Sequence, residues 1–407
     1  MEPQTTSLKD PGAEYANRPS PLKHHMEHPT ALAADCRYFG NCAPRDGIDI
    51  CKRPQDLAKK NVLIGQGPSL AGVHNAHYSG GFTNADRNEL VVASYFGGSS
   101  EKQGAVVSID LRSGDRRVVS GAFLNAAGAI EHVGDGPLFH HVVDVRAGPD
   151  GQYYAFSEPK EPSSHEIIRV DPETGNRALV WKSRDPRFAQ LLASDGKTVV
   201  QTHGTGFAVD ESDGSFLLGI TNPQTGTGII RVSPQGDACV PVSVTSRDTA
   251  LARGNGEALR GFVQGYTLHK GCIYAFTTQP KHFLEIDPVT GDRSVLVVGK
   301  AAGAIGERWA VWDDTHAVWW TAGLQNSVTL VAFDPATKKT LHASKDGGSK
   351  DFPWFPLGGS GPFRINSLNY GGIWMHPTEP DRILLAHDSV SIVEFEISTG
   401  NSIIRSL

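Results

Sequence analysis

The sequence predicts an all-β fold from two observations: a hairpin motif that recurs six times, and an apolar pattern that alternates with the period of a strand. Each motif runs from an apolar strand through a turn of the Asp-Pro-x-Thr-Gly type into a second apolar strand. The clearest copies start at Ile168 and Leu284. Strand alternation also dominates between the copies, which is typical of half-buried strands rather than helices.

The residues of the motif suit a tight turn. Proline fixes φ after the Asp, glycine supplies positive φ, and the Asp carboxylate accepts hydrogen bonds from backbone N–H groups further along. The turns begin at Asp110, Asp171, Ser233, Asp287, Asp334 and Glu396. Their spacing of roughly 50 to 60 residues is close to that of propeller blades. We therefore predict a β-propeller of four-stranded antiparallel blades, with six blades favoured and seven as the alternative.

Two regions are expected. Residues 1–60 carry Pro, His and charge with little periodicity, and we interpret them as an N-terminal arm or cap. Residues 61–407 form a single propeller domain, in which residues 61–65 either close the ring or belong to a seventh blade. One helix-like stretch, residues 248–259, is expected inside a loop.

Composition excludes some partners. The net charge is −6, and no dense Lys/Arg stripe occurs, so neither nucleic acid nor an anionic membrane surface is expected as a partner. No apolar run is long enough to span a membrane, and no signal-peptide core is visible. We expect a soluble protein, either cytoplasmic or the mature form of an exported one, and the oligomeric state stays open.

Five cysteines leave the redox state open. Cys36, Cys42 and Cys51 cluster in the arm, with spacings that do not match a Cys-x-x-Cys zinc pair. An oxidising compartment would allow a disulfide within this segment, and the alternative is unlinked thiols.

The candidate site follows from the loops that enter the innermost strands, because function on a propeller usually lies on that face. Three successive units present a histidine there: His77, His141 and His203. We predict that these three hold a divalent metal ion of unknown identity, since imidazoles from separate strands bind transition metals. His141 and His203 are also candidate acid–base groups, with Tyr266 or Tyr370 as a further acid. The structural alternative is a set of hydrogen-bonded histidines.

The other three units present groups suited to an anionic substrate. Arg260, Arg308 and Arg364 would bind a carboxylate, because guanidinium pairs with it bidentately. Glu307 and Asn366 lie beside them and complete the predicted substrate-binding set. The alternative is a structural ion-pair network.

The repeated hairpins resemble a broad group of bacterial propellers that includes the SMP-30/gluconolactonase-like, streptogramin-lyase-like and NHL-like proteins. The resemblance covers residues 61–407 and concerns the style of repeat, not one family. It implies either a metal-dependent lactonase or lyase, or a protein that only binds partners. The metal-binding residues of gluconolactonase-like propellers are not matched, and the three histidines indicate a different site.

A second resemblance is geometric. Carotenoid-cleaving oxygenases hold iron with four histidines on separate blades, and His77, His141, His203 and His376 are similar in placement. The flanking motifs of that family are missing.

We therefore predict a metal-assisted lyase or hydrolase that acts on a small anionic or carbohydrate-like substrate at the mouth of the central channel. Proton abstraction beside a carboxylate suits the residue set, because a cation or an arginine stabilises the charge that develops. The alternatives are a non-catalytic binding or scaffold propeller and, as a minor one, a histidine-ligated iron oxygenase.

Overall fold

The structure is a computed structural model, and it describes fourteen stretches of the chain. They are residues 77–96, 103–124, 129–158, 165–183, 206–222, 226–246, 252–261, 263–278, 281–298, 309–322, 328–345, 372–387, 391–398 and 402–406. None of these residues is helical, and their strands form six antiparallel sheets. The predicted six-bladed β-propeller is therefore confirmed.

Each blade is made of strands that follow one another along the chain. Blade 1 contains β1 (His77–Asn84), β2 (Glu89–Phe96), β3 (Gln103–Asp110), β4 (Arg116–Leu124) and a fifth, outermost strand, β5 (Ile130–Val133). Blade 2 contains β6 (His141–Ala147), β7 (Tyr153–Glu158), β8 (Glu166–Val170) and β9 (Arg177–Lys182). Blade 3 contains β10 (Phe207–Val209), β11 (Phe216–Asn222), β12 (Gly226–Val232) and β13 (Cys239–Thr245).

The second half of the chain repeats the plan. Blade 4 contains β14 (Val263–His269), β15 (Cys272–Thr278), β16 (Lys281–Ile286) and β17 (Arg293–Val298). Blade 5 contains β18 (Trp309–Asp313), β19 (Val318–Ala322), β20 (Val328–Asp334) and β21 (Lys339–Lys345). Blade 6 contains β22 (Ile373–Met375), β23 (Arg382–His387), β24 (Ser391–Glu396) and β25 (Ser402–Ser406).

The first strands of the blades line the centre of a closed ring. Each contacts the first strand of the next blade, and β22 of blade 6 contacts β1 of blade 1. Across that junction the Thr378 hydroxyl donates to Asn88 Oδ1 at 3.1 Å. All four described strands of blade 6 come from the C-terminal part of the chain, and residues 61–65, predicted as a closing strand, lie outside the described residues.

Six apolar clusters, one between each pair of neighbouring blades, form the core. Each strand contributes apolar side chains to the clusters on both faces of its blade, because successive side chains point to opposite sides of a sheet. Trp319 packs towards blade 4, while Trp320 packs towards blade 6. These tryptophans therefore hold blades together.

The predicted hairpin turns join the third and fourth strand of each blade. Asp171 Oδ1 accepts hydrogen bonds from Glu173 N at 2.8 Å and Thr174 N at 3.3 Å. Gly175 follows with φ of 74°, a conformation that glycine adopts without strain. The blade 5 turn lacks the glycine, and Lys338 takes positive φ in its place.

Blades 2 and 4 share a feature that we term the arginine clasp. In blade 2 the Arg177 guanidinium reaches back to the segment between β5 and β6. Its Nε donates to Pro137 O at 2.6 Å, and its Nη2 donates to Gly134 O at 3.1 Å. Its Nη1 donates to Ser120 Oγ at 2.8 Å and to Val133 O at 2.7 Å. The clasp ties blade 1 to blade 2.

The blade 4 clasp has the same contacts. Arg293 Nε donates to Glu257 O at 2.6 Å, and its Nη2 donates to Gly254 O at 3.1 Å. Its Nη1 donates to Ser243 Oγ at 2.9 Å and to Arg253 O at 3.0 Å. Blade 3 is thus tied to blade 4 as blade 1 is tied to blade 2.

The helix expected over residues 248–259 is wrong for its described part, residues 252–259. Gly254 and Gly256 have φ of 79° and 97°, which a right-handed helix cannot accommodate. Bridges from Arg253 to Val244 of blade 3 and from Gly256 to Arg293 of blade 4 hold this segment extended between the two blades.

Other expectations fall on residues outside the described stretches. The arm, residues 1–60, is among them, with Cys36, Cys42 and Cys51. Cys239 and Cys272 are free thiols. In the described part of the chain no helix has the length and apolarity to cross a membrane.

Candidate functional site

The candidate site lies at the channel mouth, the face of the ring on which the first strands begin. His77 and His141 open β1 and β6, the first strands of blades 1 and 2. Antiparallel pairing places Tyr95 opposite His77 and Glu158 opposite His141. Two of the three predicted histidines therefore hold equivalent backbone positions in adjacent blades.

His141 is held from two sides. Its Nδ1 lies 2.6 Å from Glu158 Oε2, and its ring meets the ring of Tyr95 edge-on with centroids 4.0 Å apart. An ionised carboxylate can only accept, so the His141 Nδ1 carries the proton of this bond. Both side chains are partly buried, which strengthens the bond relative to water.

This pair fixes what the imidazole can do. A ring whose Nδ1–H is held by a carboxylate presents Nε2 as its basic nitrogen. The carboxylate also stabilises the imidazolium that forms when Nε2 takes a proton. The same arrangement is common for metal-binding histidines, whose second nitrogen donates to a carboxylate. The geometry is therefore compatible both with acid–base catalysis and with metal binding.

Deeper in the channel, β6 carries an ion pair whose carboxylate is fully buried and whose guanidinium is partly exposed. Asp144 Oδ2 accepts from Arg146 Nη2 at 2.9 Å, and Asp144 Oδ1 accepts from Val145 N at 2.8 Å. The carboxylate packs against Gly80 of β1, where a Cβ would lie 2.0 Å from Oδ1. Burial raises the pKa of Asp144 to about 6, and Arg146 and the Val145 N–H oppose that rise.

Arg146 faces a small cavity of about 20 Å³ in the channel, which is the room of about one water molecule. Its Nη1 donates to Gly81 O at 2.8 Å. The cavity walls come from the first strands of five blades. The described lining residues are Gly81, Arg146, Gly265, Tyr266, Thr267, Trp309, Ala310, Ile373 and Trp374.

Of the other predicted residues, Arg260 is exposed in the segment before β14. The neighbouring Gly261 O accepts from Thr221 Oγ1 at 2.9 Å. Thr221 lies near the end of β11, the end that corresponds to Glu158 in blade 2. Arg260 therefore lies on the mouth side of the ring.

Tyr266 is fully buried, and its hydroxyl donates to Val263 O at 2.8 Å. Burial raises the pKa of this phenol well above its usual range. Its role as a further acid stays a prediction. His203, Tyr370, Glu307, Arg308, Arg364 and Asn366 lie outside the described residues, and of His77 the structure describes only the backbone.

No group of three His, Cys, Asp or Glu side chains that could hold a metal ion occurs within the described stretches. The metal site predicted on His77, His141 and His203 stays a prediction. His376, the fourth histidine of the iron-oxygenase resemblance, is buried, and its Nδ1 accepts from Glu379 N at 3.1 Å. That bond caps a turn at the opposite end of its strand from the mouth.

Sequence reasoning missed four residues: Tyr95, Asp144, Arg146 and Glu158. Counting outward from the turn at residues 148–151 would have paired His141 with Pro159. A bulge between Val142 and Asp144 shifts the register by one and brings Glu158 opposite His141. Such a bulge leaves no clear mark in one sequence.

No family model matches the chain, and no curated protein matches it. Solved structures do resemble it. An oligogalacturonate lyase from Vibrio parahaemolyticus is 10% identical, with 85% of this chain and 90% of that chain covered and a TM-score of 0.42. An oligogalacturonate lyase in complex with manganese is 10% identical, with 81% and 89% covered and a TM-score of 0.41. A puromycin hydrolase mutant complexed with PGG is 14% identical, with 81% and 44% covered and a TM-score of 0.42.

These proteins are similar to the chain at identities and TM-scores that carry no argument about its activity. The chain spans less than half of the puromycin hydrolase. Any functional conclusion therefore depends on the residues of this chain.

Proposed function

We propose that the chain is a lyase or hydrolase that acts at the channel mouth on a small anionic or carbohydrate-like substrate. The observation that supports this most is the 2.6 Å contact between His141 Nδ1 and Glu158 Oε2. A histidine oriented by a carboxylate at the rim of a channel is a competent general base. Such a base contributes roughly 100- to 10,000-fold to a rate.

In a lyase reaction, His141 Nε2 would take the proton from the carbon next to a carboxylate. The electron pair of that C–H bond forms the new double bond, and the leaving group departs with its bonding electrons. His141 can then return the proton to the leaving group. In a hydrolase reaction the same nitrogen would take the proton of an attacking water. Arg260, exposed on the mouth side, would orient the substrate carboxylate.

Arg146 lies five residues further along β6 than His141, and its guanidinium is engaged with Gly81 O and Asp144 Oδ2. The anion-binding group of the mouth would therefore be Arg260, with Arg308 and Arg364 as further candidates from the sequence.

The more specific form of the proposal includes a divalent metal ion at the channel mouth. The His141–Glu158 pair fits metal binding, since the carboxylate would hold the ring with Nε2 towards the ion. His77, His141 and His203 would hold it, and a bound ion would polarise a substrate carbonyl or acidify a water. Elemental analysis of the purified protein and of His141→Ala and His203→Ala tests this form. An equal absence of metal in all three, with metal-independent turnover, contradicts it.

One observation favours the second candidate, a binding or scaffold propeller. The Asp144 and Arg146 side chains pair with each other, and the cavity that the described residues form beside them holds about 20 Å³. A binding propeller would use a channel narrowed in this way as a rigid hub. Turnover of a substrate at the mouth, above this narrow part of the channel, would favour the enzyme over the binding propeller.

The test is a substrate screen of uronic acid oligomers, lactones and carboxylate esters. Double-bond formation is followed by ultraviolet absorbance, and hydrolysis by acid release. His141→Gln and Glu158→Ala should each lower kcat at least about 100-fold on any substrate that is turned over. His132→Gln, on an exposed site of β5, is the matched control and should retain full activity. Unchanged turnover in His141→Gln, or no turnover of any substrate by the native chain, would refute the enzyme proposal.

A further inference from the structure

The two arginine clasps are built from three parts that hold fixed positions in the repeat. The first part is a buried arginine that opens the fourth strand of a blade, Arg177 or Arg293. The second is a serine of the preceding blade, Ser120 or Ser243, at the residue that follows a bulge in its fourth strand. The third is a Gly-x-Gly segment that runs between the two blades and gives its carbonyls to the arginine.

The junction between blade 6 and blade 1 has the same three parts. Arg116 opens β4, the fourth strand of blade 1, and is buried like the two clasp arginines. Ser406 ends β25, the fourth strand of blade 6, and follows a bulge there. Residues 65–67, which lie outside the described residues, read Gly-Gln-Gly, and Pro68 follows them as Pro137 follows the segment before blade 2.

The arginine and the serine occur together. Blades 3 and 5 have Cys239 and Thr340 at the register position of the arginine. The blades before them, 2 and 4, have Trp181 and Val297 at the register position of the serine. Blade 6 has Ser402 at the arginine position. Among the six described blades, an arginine therefore occupies this position only where the preceding blade supplies the serine.

The pairing of the Gly-x-Gly segment is also the same in both clasps. The residue before the segment pairs with the residue after the serine, as Val133 pairs with Gly121 and Arg253 with Val244. The same register in blade 6 places Ile64 opposite Leu407. Both glycines of each described segment have positive φ, between 74° and 114°. Gly65 and Gly67 can adopt such φ without strain.

A further contact of the clasps can be repeated in blade 1. The backbone N–H of the middle residue of each segment donates to the side chain before the arginine, at 2.8 Å to Asn176 Oδ1 and at 2.7 Å to Asp292 Oδ1. Asp115 precedes Arg116 and offers the same acceptor. The residue that would donate to it is Gln66.

We propose that residues 64–68 of this chain bind between blades 6 and 1 as the segment of a third arginine clasp. Arg116 would donate to three carbonyls of this segment and to Ser406 Oγ, and the N–H of Gln66 would donate to Asp115 Oδ1. A buried guanidinium with several N–H donors fits a run of backbone carbonyls, because each buried donor needs an acceptor. The proposal does not depend on the proposed function.

The path of the chain supports the same occupant. In the described clasps the segment leads by a short connection into the first strand of the blade that carries the arginine. The three connections run from Pro137 to His141, from Glu257 to Val263 and, in the proposed clasp, from Pro68 to His77. The segment that joins the last strand of blade 6 to blade 1 is thus the one that directly precedes β1.

The first experiment is hydrogen–deuterium exchange of the full chain, followed by mass spectrometry. The peptide that covers residues 61–68 should exchange at least about tenfold more slowly than the same peptide free in solution. Arg116→Met should abolish this protection and leave that of residues 132–138, in the clasp of blade 2, unchanged. Arg117→Met is the matched control, because the next side chain along β4 is exposed, and it should keep both protections.

Rapid exchange of residues 61–68 in the native chain would overturn the proposal, and so would unchanged protection of this peptide in Arg116→Met. Should Arg116→Met unfold the whole ring, Ser406→Ala provides the milder test. Faster exchange of residues 61–68 alone in Ser406→Ala supports the third clasp, and unchanged exchange contradicts it.

The second experiment is a double-mutant cycle between Arg116→Met and Ser406→Ala, read from the unfolding equilibrium constant in urea. Because the proposed bond joins the two side chains, the double variant should have an unfolding constant at least about fivefold below the product of the two single effects. Arg116→Met combined with Ser243→Ala, the serine of a different clasp, should give the product itself. A multiplicative result for Arg116 and Ser406 would overturn the proposal.

Discussion

Blades 2 and 4 have matching outer hairpins and different inner strands. On the outside, Arg177 and Arg293 share donation to three backbone carbonyls and one serine hydroxyl at similar distances, and Arg293 also donates to Gly291 O at 3.4 Å. The hairpins before them read Thr-Gly-Asn-Arg and Thr-Gly-Asp-Arg.

On the inside, β6 and β14 differ. β6 opens with His141 held by Glu158 and continues to the Asp144–Arg146 pair. β14 carries Tyr266 and Thr267, whose hydroxyls donate to backbone carbonyls. Both strands are bulged. The two blades therefore share the residues that join neighbouring blades, and they differ in the residues that face the channel.

The largest stability effect is expected from breaking a clasp. Arg177→Met and Arg293→Met each leave partly buried carbonyls without donors, and each should lower the free energy of unfolding by about 4 kcal/mol. Urea unfolding measures both. Arg169→Met, with an exposed side chain, should change stability by less than about 0.5 kcal/mol.

The two clasp variants should agree with each other within about 1 kcal/mol, because their contacts match. If one costs several times more than the other, the outer halves are not energetically equivalent.

The second prediction concerns Asp144 and pH. An acid whose pKa is raised on folding binds its proton more tightly in the native state, so stability is lost as pH rises through the window from about 4 to 6. Relative to Asp144→Asn, the native chain should lose about 2 kcal/mol between pH 4 and pH 7. The two proteins share all other carboxylates, so the contributions of those groups to the pH dependence cancel in this comparison.

Urea unfolding of both proteins at several pH values provides the measurement. Parallel pH profiles would show that Asp144 titrates normally and is more hydrated than the structure indicates.

The fold could be predicted from sequence because its signal is local and repeated. Each Asp-x-x-x-Gly turn, as in Asp171–Gly175, specifies its own geometry through bonds within five residues. The clasp was missed because it joins segments some 40 residues apart in only two of the described blades. Its parts, Gly-Asp-Gly at 134–136 and Gly-Asn-Gly at 254–256, are too short to stand out alone.

The third prediction tests how closely the clasp is packed. A Cβ on Gly134 would lie 1.9 Å from Gly175 O, at a residue whose φ is 74°. Gly134→Ala should therefore cost about 3 kcal/mol, from steric overlap and backbone strain together. Gly151→Ala is the matched control, because Gly151 has φ of 76° and nothing within 4 Å of its Cβ position.

Gly151→Ala should lower the free energy of unfolding by about 1 kcal/mol, because it introduces backbone strain without steric overlap. Equal losses in the two variants would mean that the Gly134 loop can move away from blade 2.

The candidate site could be predicted only in part. The position of His141 at the start of an inner strand follows from the repeat. Its partner Glu158 does not, because the bulge at Val143 shifts the register by one. The Asp144–Arg146 pair depends on Gly80 in another blade, a contact that no pattern within one strand encodes.

The smallest effect on stability is expected from a substitution in β14. Thr267→Val removes the hydroxyl that donates to Ala310 O at 2.8 Å and should cost about 1 kcal/mol. Activity on any substrate found should be unchanged, in contrast to His141→Gln. A large loss of activity in Thr267→Val would move the chemistry from the mouth into the channel.

The most direct test of the account is the tautomer of His141, read from imidazole nitrogen shifts by NMR at a pH where the ring is neutral. A proton on Nδ1, held by Glu158, and a basic Nε2 are expected. Glu158→Ala should release this preference, while His132→Gln should leave the His141 signals unchanged. A neutral His141 that carries its proton on Nε2 in the native chain would contradict the account.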